Sequence, residues 1–507
     1  MTNAAKALKL QSLDLTKRFG SFVALKAANI TIEPGTVHAL LGENGAGKST
    51  LVKCIAGYHR AEGGSILLDG REVEISSPAA ARALGIGMVY QHFTAVPGMT
   101  VAENLLLARA KLASVIDWPR EHEVLKRFME RMPFSLPLNT RADDLAAGER
   151  QKLEILKQLF LEPKLLILDE PSSVLTPDEA DEVLGLLAER AHAGETTIIL
   201  ITHKFREVLG YADNVTVLRQ GEVKLNSSVQ QTNQQQLAHA MMGESKEFTT
   251  PTRIGRTGTE NILNVSNLCA INDRGKQACK DVNFSVQRGE ILGIAGVAGN
   301  GQRELLQCIA NQRTKTSGAV EVKGESFRAT REQYQRLKVR SLPEEPLRNA
   351  CVAGMSVAQN LSLRAFDRPP ISRLGWMMGA KTSQLATNLI DSFKVKTRSP
   401  SSPIKDLSGG NVQRAVLARE LSEPADLLLV SNPVFGLDFS AAGQIYERIM
   451  QMRNNGAAVL WLSEDLDELL GMADRIMVIS DGQLLYETSA ENADRKTIGS
   501  YMAGATH

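Results

Sequence analysis

The run Val37-His-Ala-Leu-Leu41 leads directly into Gly42-Glu-Asn-Gly-Ala-Gly47-Lys48-Ser49-Thr50, followed by Leu51-Val-Lys-Cys-Ile-Ala-Gly57. It reads as a short apolar strand, a glycine-rich turn and the opening of a helix. The turn fits G-x-x-x-x-G-K-[ST], in which glycines let backbone N–H groups curl around phosphate oxygens and the helix N-terminus adds its positive dipole end. On that reading Gly42, Asn44, Gly45, Gly47 and Thr50 form a phosphate cradle, Lys48 bridges the β- and γ-phosphates, and Ser49 binds Mg2+. The strand before and the helix after separate this motif from a chance match of the same letters.

A second apolar strand, Leu165-Leu-Ile-Leu-Asp169-Glu170, ends in two carboxylates. At a strand end beside the phosphate loop, Asp169 can hold Mg2+ through water, and Glu170 can polarise an attacking water as general base. The plain alternative is a solvated turn before Pro171. His203 follows the strand Thr197-Ile-Ile-Leu-Ile201, on the same edge of the sheet, which favours a γ-phosphate contact over a purely structural histidine. These strands, with Val215-Thr-Val-Leu218, alternate with helical periodicity and predict an α/β domain built on a mostly parallel sheet. Thr100-x-x-Glu103 and Ser356-x-x-Gln359 read as capping boxes, each opening a helical insert.

Internal similarity then doubles the picture. Residues 24–70 align without gaps with 278–324 at an offset of 254, with 13 of 47 positions identical. At an offset of 262, Leu145–Gln151 matches Leu407–Gln413 and Ile167–Pro171 matches Leu429–Pro433. So long a period means domain duplication. It predicts two domains, 1–243 and 261–507, joined by a linker over 244–260 that is poor in apolar residues. The polar stretch Val229–Gln236 reads as a helix start or loop.

Composition bounds the rest. The 507 residues carry 58 Lys+Arg against 57 Asp+Glu, a net charge of +1, which lacks the positive field of a nucleic-acid binder. No apolar run is long enough to span a bilayer, and the first residues lack a secretory segment. Five cysteines without C-x-x-C argue against a disulfide framework and a zinc site. Cys54 and Cys308, equivalent in the repeat, read as packing residues, and Arg336-Leu-Lys-Val-Arg340 as a solvated or partner-facing stretch. The expectation is a soluble, cytoplasmic chain.

GENGAGKST, ILDEP and ITHK, together with Val89-Tyr-Gln91-His-Phe93 and Leu407-Ser-Gly-Gly-Asn-Val-Gln-Arg414, resemble the ATP-binding-cassette ATPases. The resemblance covers both halves. It implies two tandem cassettes, each with a mostly parallel sheet core, an antiparallel β part and a helical insert, and it implies ATP and Mg2+. Gln91 would touch Mg2+ or the attacking water and face the partner subunit. Phe19 would stack on adenine, with Phe22, or simple packing, as alternatives. Ser408, Gly409 and Gly410 of the signature, with Asp438, would clamp the γ-phosphate of the nucleotide held by the opposite half.

The second half departs from this pattern. Gln302 and Arg303 replace Lys48 and Ser49, and Ser431 and Asn432 replace Asp169 and Glu170. Glu464 stands for His203 and Glu344 for Gln91, and no aromatic residue lies between 266 and 283. The signatures are inverted: the second half keeps Leu407-Ser-Gly-Gly410, whereas the first has Leu145-Ala-Ala-Gly148, and Thr176 stands where Asp438 does. The family's head-to-tail docking, within one chain as a pseudo-dimer or between two chains, would gather every intact part into one composite site. The degraded parts would fall into the other. One hydrolytic and one non-hydrolytic site are expected.

This fused, asymmetric layout resembles the ATPases of ribose, galactose and xylose importers and of purine-nucleoside importers, with Gln91-His-Phe93 and Val174–Glu179 nearer the nucleoside branch. It implies two membrane-spanning permease subunits, an extracytoplasmic solute-binding protein, and a peripheral place on the cytoplasmic face of the inner membrane. A soluble twin-cassette ATPase acting on the ribosome is the alternative. Asn432, the short linker and the near-zero charge disfavour it.

Overall fold

The computed structural model describes residues 7–109, 113–242, 252–255, 258–273, 275–434, 437 and 439–504. The chain divides into two compact units, Met1–Glu247 and Phe248–His507.

Among the described residues of the first unit ten strands form two sheets. They are β1 (Leu10–Phe19), β2 (Phe22–Ile32), β3 (Val37–Leu41), β4 (Gly63–Leu68), β5 (Arg71–Val73), β6 (Ile86–Val89), β7 (Leu165–Asp169), β8 (Thr197–Ile201), β9 (Asn214–Arg219) and β10 (Glu222–Ser228). The main sheet runs β10-β9-β3-β8-β7-β6, parallel except for the edge strand β10. The other sheet is antiparallel, in the order β2-β1-β4-β5.

The main strands read as unbroken apolar runs because both of their faces are buried. Along β7, Leu165 and Ile167 join a core with Leu10, Leu25, Leu40, Leu51 and Ile55. Leu166 and Leu168 join a second core with Leu105, Leu125, Leu153 and Leu184. The period of two in a strand thus serves two cores at once. Truncating any one of these leucines to alanine costs about 2–5 kcal/mol.

Helix α1 (Lys48–Ile55) follows β3, and α2 (Pro78–Ala83) precedes β6. The insert between β6 and β7 holds α3 (Val101–Leu107), α4 (Trp118–Met129) and α5 (Ala147–Leu159). α3 opens on the expected capping box: Thr100 Oγ1 accepts from the Glu103 N–H at 3.2 Å, and Glu103 Oε2 accepts from the Thr100 N–H at 2.7 Å.

The second unit repeats this order. Its main sheet runs Val339–Leu342, Leu427–Ser431, Ala458–Ser463, Ile291–Ala295, Arg475–Ser480, Gln483–Ser489, with only the last pairing antiparallel. Ser356 and Gln359 form the matching capping box. Cys54 and Cys308 are buried, as packing residues should be, and burial pushes each thiol up to about 11.

Three features were not foreseen. The second insert carries a small hairpin, Ser372–Arg373 with Trp376–Met377, turning on Leu374 and Gly375 at φ 52° and 81°. Arg340 is not solvated, which corrects the reading of the 336–340 stretch. It lies in the strand Val339–Leu342 at 5% exposure, where Glu423 takes its guanidinium at 2.6 Å. Within the stretch expected to be a linker, Asn454 donates to the Thr252 carbonyl at 2.9 Å and accepts from the Ile254 N–H at 3.2 Å. Those residues are therefore tied to the helix Phe439–Asn454 of the second unit.

Candidate active site

Strand order decides which residues can meet. β7 lies between β6 and β8. Gln91 stands two residues past β6, Glu170 one past β7 and His203 two past β8. Three adjacent strand ends therefore deliver their side chains to one point. Gln91 Nε2 donates to Glu170 Oε2 at 3.0 Å, and His203 Nδ1 lies 3.2 Å from Glu170 Oε1.

β3, on the far side of β8, supplies the glycine loop. Gly47 caps α1 at φ 108°, a conformation closed to ordinary side chains, and a Cβ there would stand 2.8 Å from the Ala24 carbonyl oxygen. The loop is braced from behind, since the Gly221 N–H donates to the Ala46 carbonyl at 2.9 Å. Lys48 Nζ donates to the carbonyls of Gly42 at 2.6 Å and Glu43 at 3.2 Å, so the ammonium lies along the inside of the loop. Asn44, Gly45 and Ser49 are exposed, and Thr50 is half-buried.

Burial pushes the Lys48 pKa down, against the pull of Glu170, Asp169 and Glu43. Asp169 is pushed up by burial and by the neighbouring Glu170 carboxylate, only partly offset by Lys48. Burial also acts to raise Glu170, but His203, Lys48 and the Gln91 amide outweigh it and hold this carboxyl below its usual range. Glu170 is therefore ionised at neutral pH and able to accept a proton. Phe19 and Phe22, either side of a tight turn, are 45% and 61% exposed, so both remain available to a ligand. Phe19 meets His59 edge-on at 5.2 Å.

The second unit keeps the backbone and changes the side chains. Gly301 caps the helix Gln302–Ile309 at φ 104°, and the Gly482 N–H braces the loop through the Asn300 carbonyl at 3.0 Å. Gln302, 9% exposed, donates to the Val297 carbonyl at 3.0 Å. Arg303 pairs with Asp273 at 3.3 Å. Asn432 Nδ2 faces Glu344 Oε1 at 3.5 Å, and burial raises the Glu344 carboxyl.

The two signature segments differ by more than their serine. Ser408 precedes the helix Gly409–Leu421, and its hydroxyl accepts from the Asn411 amide at 2.8 Å. Asn411 itself accepts from the Lys396 N–H at 2.8 Å, so the hydroxyl is held from outside the helix and can point its own proton outward. At the same place in the first unit, Glu149 accepts from the Ala146 N–H at 2.8 Å and puts a carboxylate at the start of α5. Asn411 and Glu149 escaped the sequence reading, although the N411/E149 difference was there to be read beside the signature serine. Thr176 is spent on a cap, accepting from the Glu179 N–H at 3.3 Å. Asp438 lies outside the described residues.

The family described as ABC transporter matches the sequence over residues 25–173 and 279–434. A nucleoside import ATP-binding protein of Lactococcus lactis is 36% identical over 98% of this chain and 98% of that protein. A guanosine import ATP-binding protein of Bacillus subtilis is 35% identical over 98% of each. A ribose import ATP-binding protein of Rubrobacter xylanophilus is 36% identical over 96% of this chain and 97% of that one. An archaeal ribosome recycling factor, solved with a ribosomal stalk protein, shares the fold at a TM-score of 0.64 and 18% identity, over 94% of this chain and 90% of that chain. The phosphate loop, the carboxylate pair at the strand end and the duplicated cassette are thus those of a transport-coupled ATPase, and the chain belongs to the ABC transporter family.

Proposed function

We propose that this chain is the ATP-hydrolysing subunit of an importer for simple sugars or nucleosides, with one competent composite ATP site and one degenerate site. The observation that carries the reading is the hydrogen-bonded set Gln91–Glu170–His203, whose counterpart in the second unit, Glu344–Asn432–Glu464, has an amide in place of the Glu170 carboxylate. The import relatives, matched over nearly their whole length, support the substrate class.

In the competent site the phosphates lie in the cradle Gly42 to Thr50, with the Lys48 ammonium bridging the terminal phosphates. The residues fit Mg2+: the exposed Ser49 hydroxyl stands at the start of α1, and Asp169 and Glu170 are adjacent carboxylates whose mutual repulsion a cation relieves. When bound, Mg2+ neutralises charge on the β- and γ-phosphates. Glu170 takes a proton from the water that attacks the γ-phosphate, Gln91 orients that water, and His203 contacts the γ-phosphate. The bond from the γ-phosphorus to the bridging oxygen breaks, leaving ADP and inorganic phosphate. Ser408, Gly409, Gly410 and Asp438 complete this site by head-to-tail docking. The other composite pairs Gln302, Arg303, Ser431 and Asn432 with Ala146, Glu149 and Thr176.

Among the described residues no helix is long and apolar enough to cross a membrane. The chain works at the cytoplasmic face of the inner membrane beneath two permease subunits, supplied by an extracytoplasmic solute-binding protein. The test is steady-state ATP turnover. Glu170→Gln lowers it by about 100-fold or more while ATP still binds, and Asn432→Glu leaves it unchanged. Near-wild-type turnover in Glu170→Gln overturns the assignment. For the substrate class, a thermal-shift response of the partner binding protein confined to branched amino acids overturns sugars and nucleosides.

A further inference from the structure

We propose that Glu154 is a positioning residue for ATP hydrolysis, anchoring the segment after Gln91 to α5 so that the Gln91 amide stays against Glu170. The inference rests on the site assignment above.

Glu154 is 2% exposed on α5, yet its carboxylate serves a loop. Oε1 accepts from the backbone N–H groups of Thr94 at 2.6 Å and Ala95 at 2.5 Å. Oε2 accepts from Thr94 Oγ1 at 2.7 Å and from Lys157 Nζ at 3.0 Å. Lys157 also donates to Thr94 Oγ1 at 2.8 Å, which closes the set. Thr94 is three residues from Gln91, so the tether leaves the glutamine at most about 10 Å of chain to wander.

The other half shows which part of this arrangement is scaffold. Downstream of the tether, buried Asn104 accepts from the Val96 N–H at 2.8 Å and donates to the carbonyls of Val96, Met99 and Thr100. Asn360 repeats all of these contacts on Val352, Met355 and Ser356. The carboxylate tether is not repeated. At the same helix offset, 262, the second half has Val416 and Arg419. Val416 is buried in an apolar core, and Arg419 donates instead to the Ala350 and Asn360 carbonyls. Packing at this position therefore requires only valine, and the buried carboxylate that this helix does carry, Glu420, is taken by Arg364 and Arg419 instead. Burying a carboxylate needs donors to offset its desolvation, and among the described residues the one bonded to this loop lies in the half that also holds Gln91, Glu170 and His203.

Turnover and ATP affinity of the full-length chain test the inference. Glu154→Gln keeps the shape but points an amide N–H2 at donors, and is expected to lower kcat by about 10-fold with KM for ATP changed by less than about two-fold. Thr94→Val, at an exposed position, removes two of the bonds without touching the helix and is expected to lower kcat by about three-fold. On a Gln91→Ala background Glu154→Gln adds less than about two-fold, because the two residues act in series. Wild-type kcat in Glu154→Gln or in Thr94→Val, or full additivity with Gln91→Ala, overturns the inference. If Glu154→Gln turns over normally while Glu170→Gln does not, only this inference falls; if Glu170→Gln itself turns over, the site assignment falls.

Discussion

Glu170 and Asn432 occupy the same point of the two repeats, one residue past the strand end, and both have left-handed backbone, φ 50° and 43°. The fold imposes this turn, because each residue's N–H reaches the neighbouring strand, at Ile201 O (2.9 Å) and Leu462 O (3.0 Å). Asparagine tolerates such a conformation, whereas a longer side chain is held there at a cost of about 1–2 kcal/mol. On the proposed assignment the first half keeps the strained residue because its carboxylate is needed. The other half has relieved the strain.

Asn432→Glu should therefore destabilise the second unit by about 1 kcal/mol, besides leaving turnover unchanged. Urea unfolding followed by a second-unit probe, such as the fluorescence of Trp461, measures it. A variant as stable as the parent contradicts the strain argument.

The held hydroxyl of Ser408 gives a second prediction. Asn411→Ala leaves the signature serine in place but unoriented, and should lower kcat by about 3–10-fold. Ala146→Ser combined with Glu149→Asn, which rebuilds the other signature, should leave ATP turnover within about two-fold of wild type. Phosphate-release assays on the two variants distinguish them directly.

Acid lability should localise in part to His38. It is 1% exposed, its Nε2 bonds Thr216 Oγ1 at 2.8 Å, its Nδ1 has no partner among the described residues, and burial lowers its pKa to about 4. Below pH 6.5 the unfolded chain takes up a proton that the folded chain refuses, so this residue's contribution is complete above pH 6.5 and is lost as pH falls toward 4. At about 1.4 kcal/mol per unit, the loss is about 3–4 kcal/mol. The second unit has Leu292 and Met477 at the equivalent positions. His38→Leu with Thr216→Met should flatten this part of the profile in thermal melts between pH 4 and 7, and an unchanged slope would count against it.

Glu420 offers a sharp stability test in the second unit. Fully buried, it takes Arg364 at 3.0 Å and Arg419 at 2.7 Å. Burial opposes its ionisation, but the two guanidiniums prevail and hold the carboxyl below its usual range. Glu420→Gln takes the carboxylate from buried Arg419 and half-buried Arg364 and should cost about 3 kcal/mol, visible as a lower urea midpoint for the second unit.

What could be read from the sequence was what lies contiguously in it. The glycine loop, the Asp169–Glu170 pair and the capping boxes are each set by a few neighbouring residues, and the duplication fixed the order of the elements. Glu170 and His203 came into view through their places at strand ends, because adjacent parallel strands must deliver their ends to one edge, and Gln91 through the family resemblance of Val89–Phe93. The tether of Thr94 to Glu154 spans sixty residues and carries no local signature. Arg340 was misread because a run of basic residues gives no sign that one of them alternates inward along a strand toward Glu423. The hairpin at 372–377 was missed because its strands are two residues each, too short to show alternation.

The loop at 296–301 has its brace and its left-handed Gly301 although Gln302 and Arg303 stand where Lys48 and Ser49 do in the first unit. The two halves thus differ here in side chains carried on the same frame. On the proposed reading the second site could be rebuilt by engineering: Gln302→Lys, Arg303→Ser, Ser431→Asp and Asn432→Glu, with Ala146→Ser, Glu149→Asn and Thr176→Asp in the first unit, would be introduced onto a loop that already has the required course. Any one of them alone returns nothing, since charge, metal ligand and base are needed together. A symmetric motor is therefore reached from this sequence only by making these changes together.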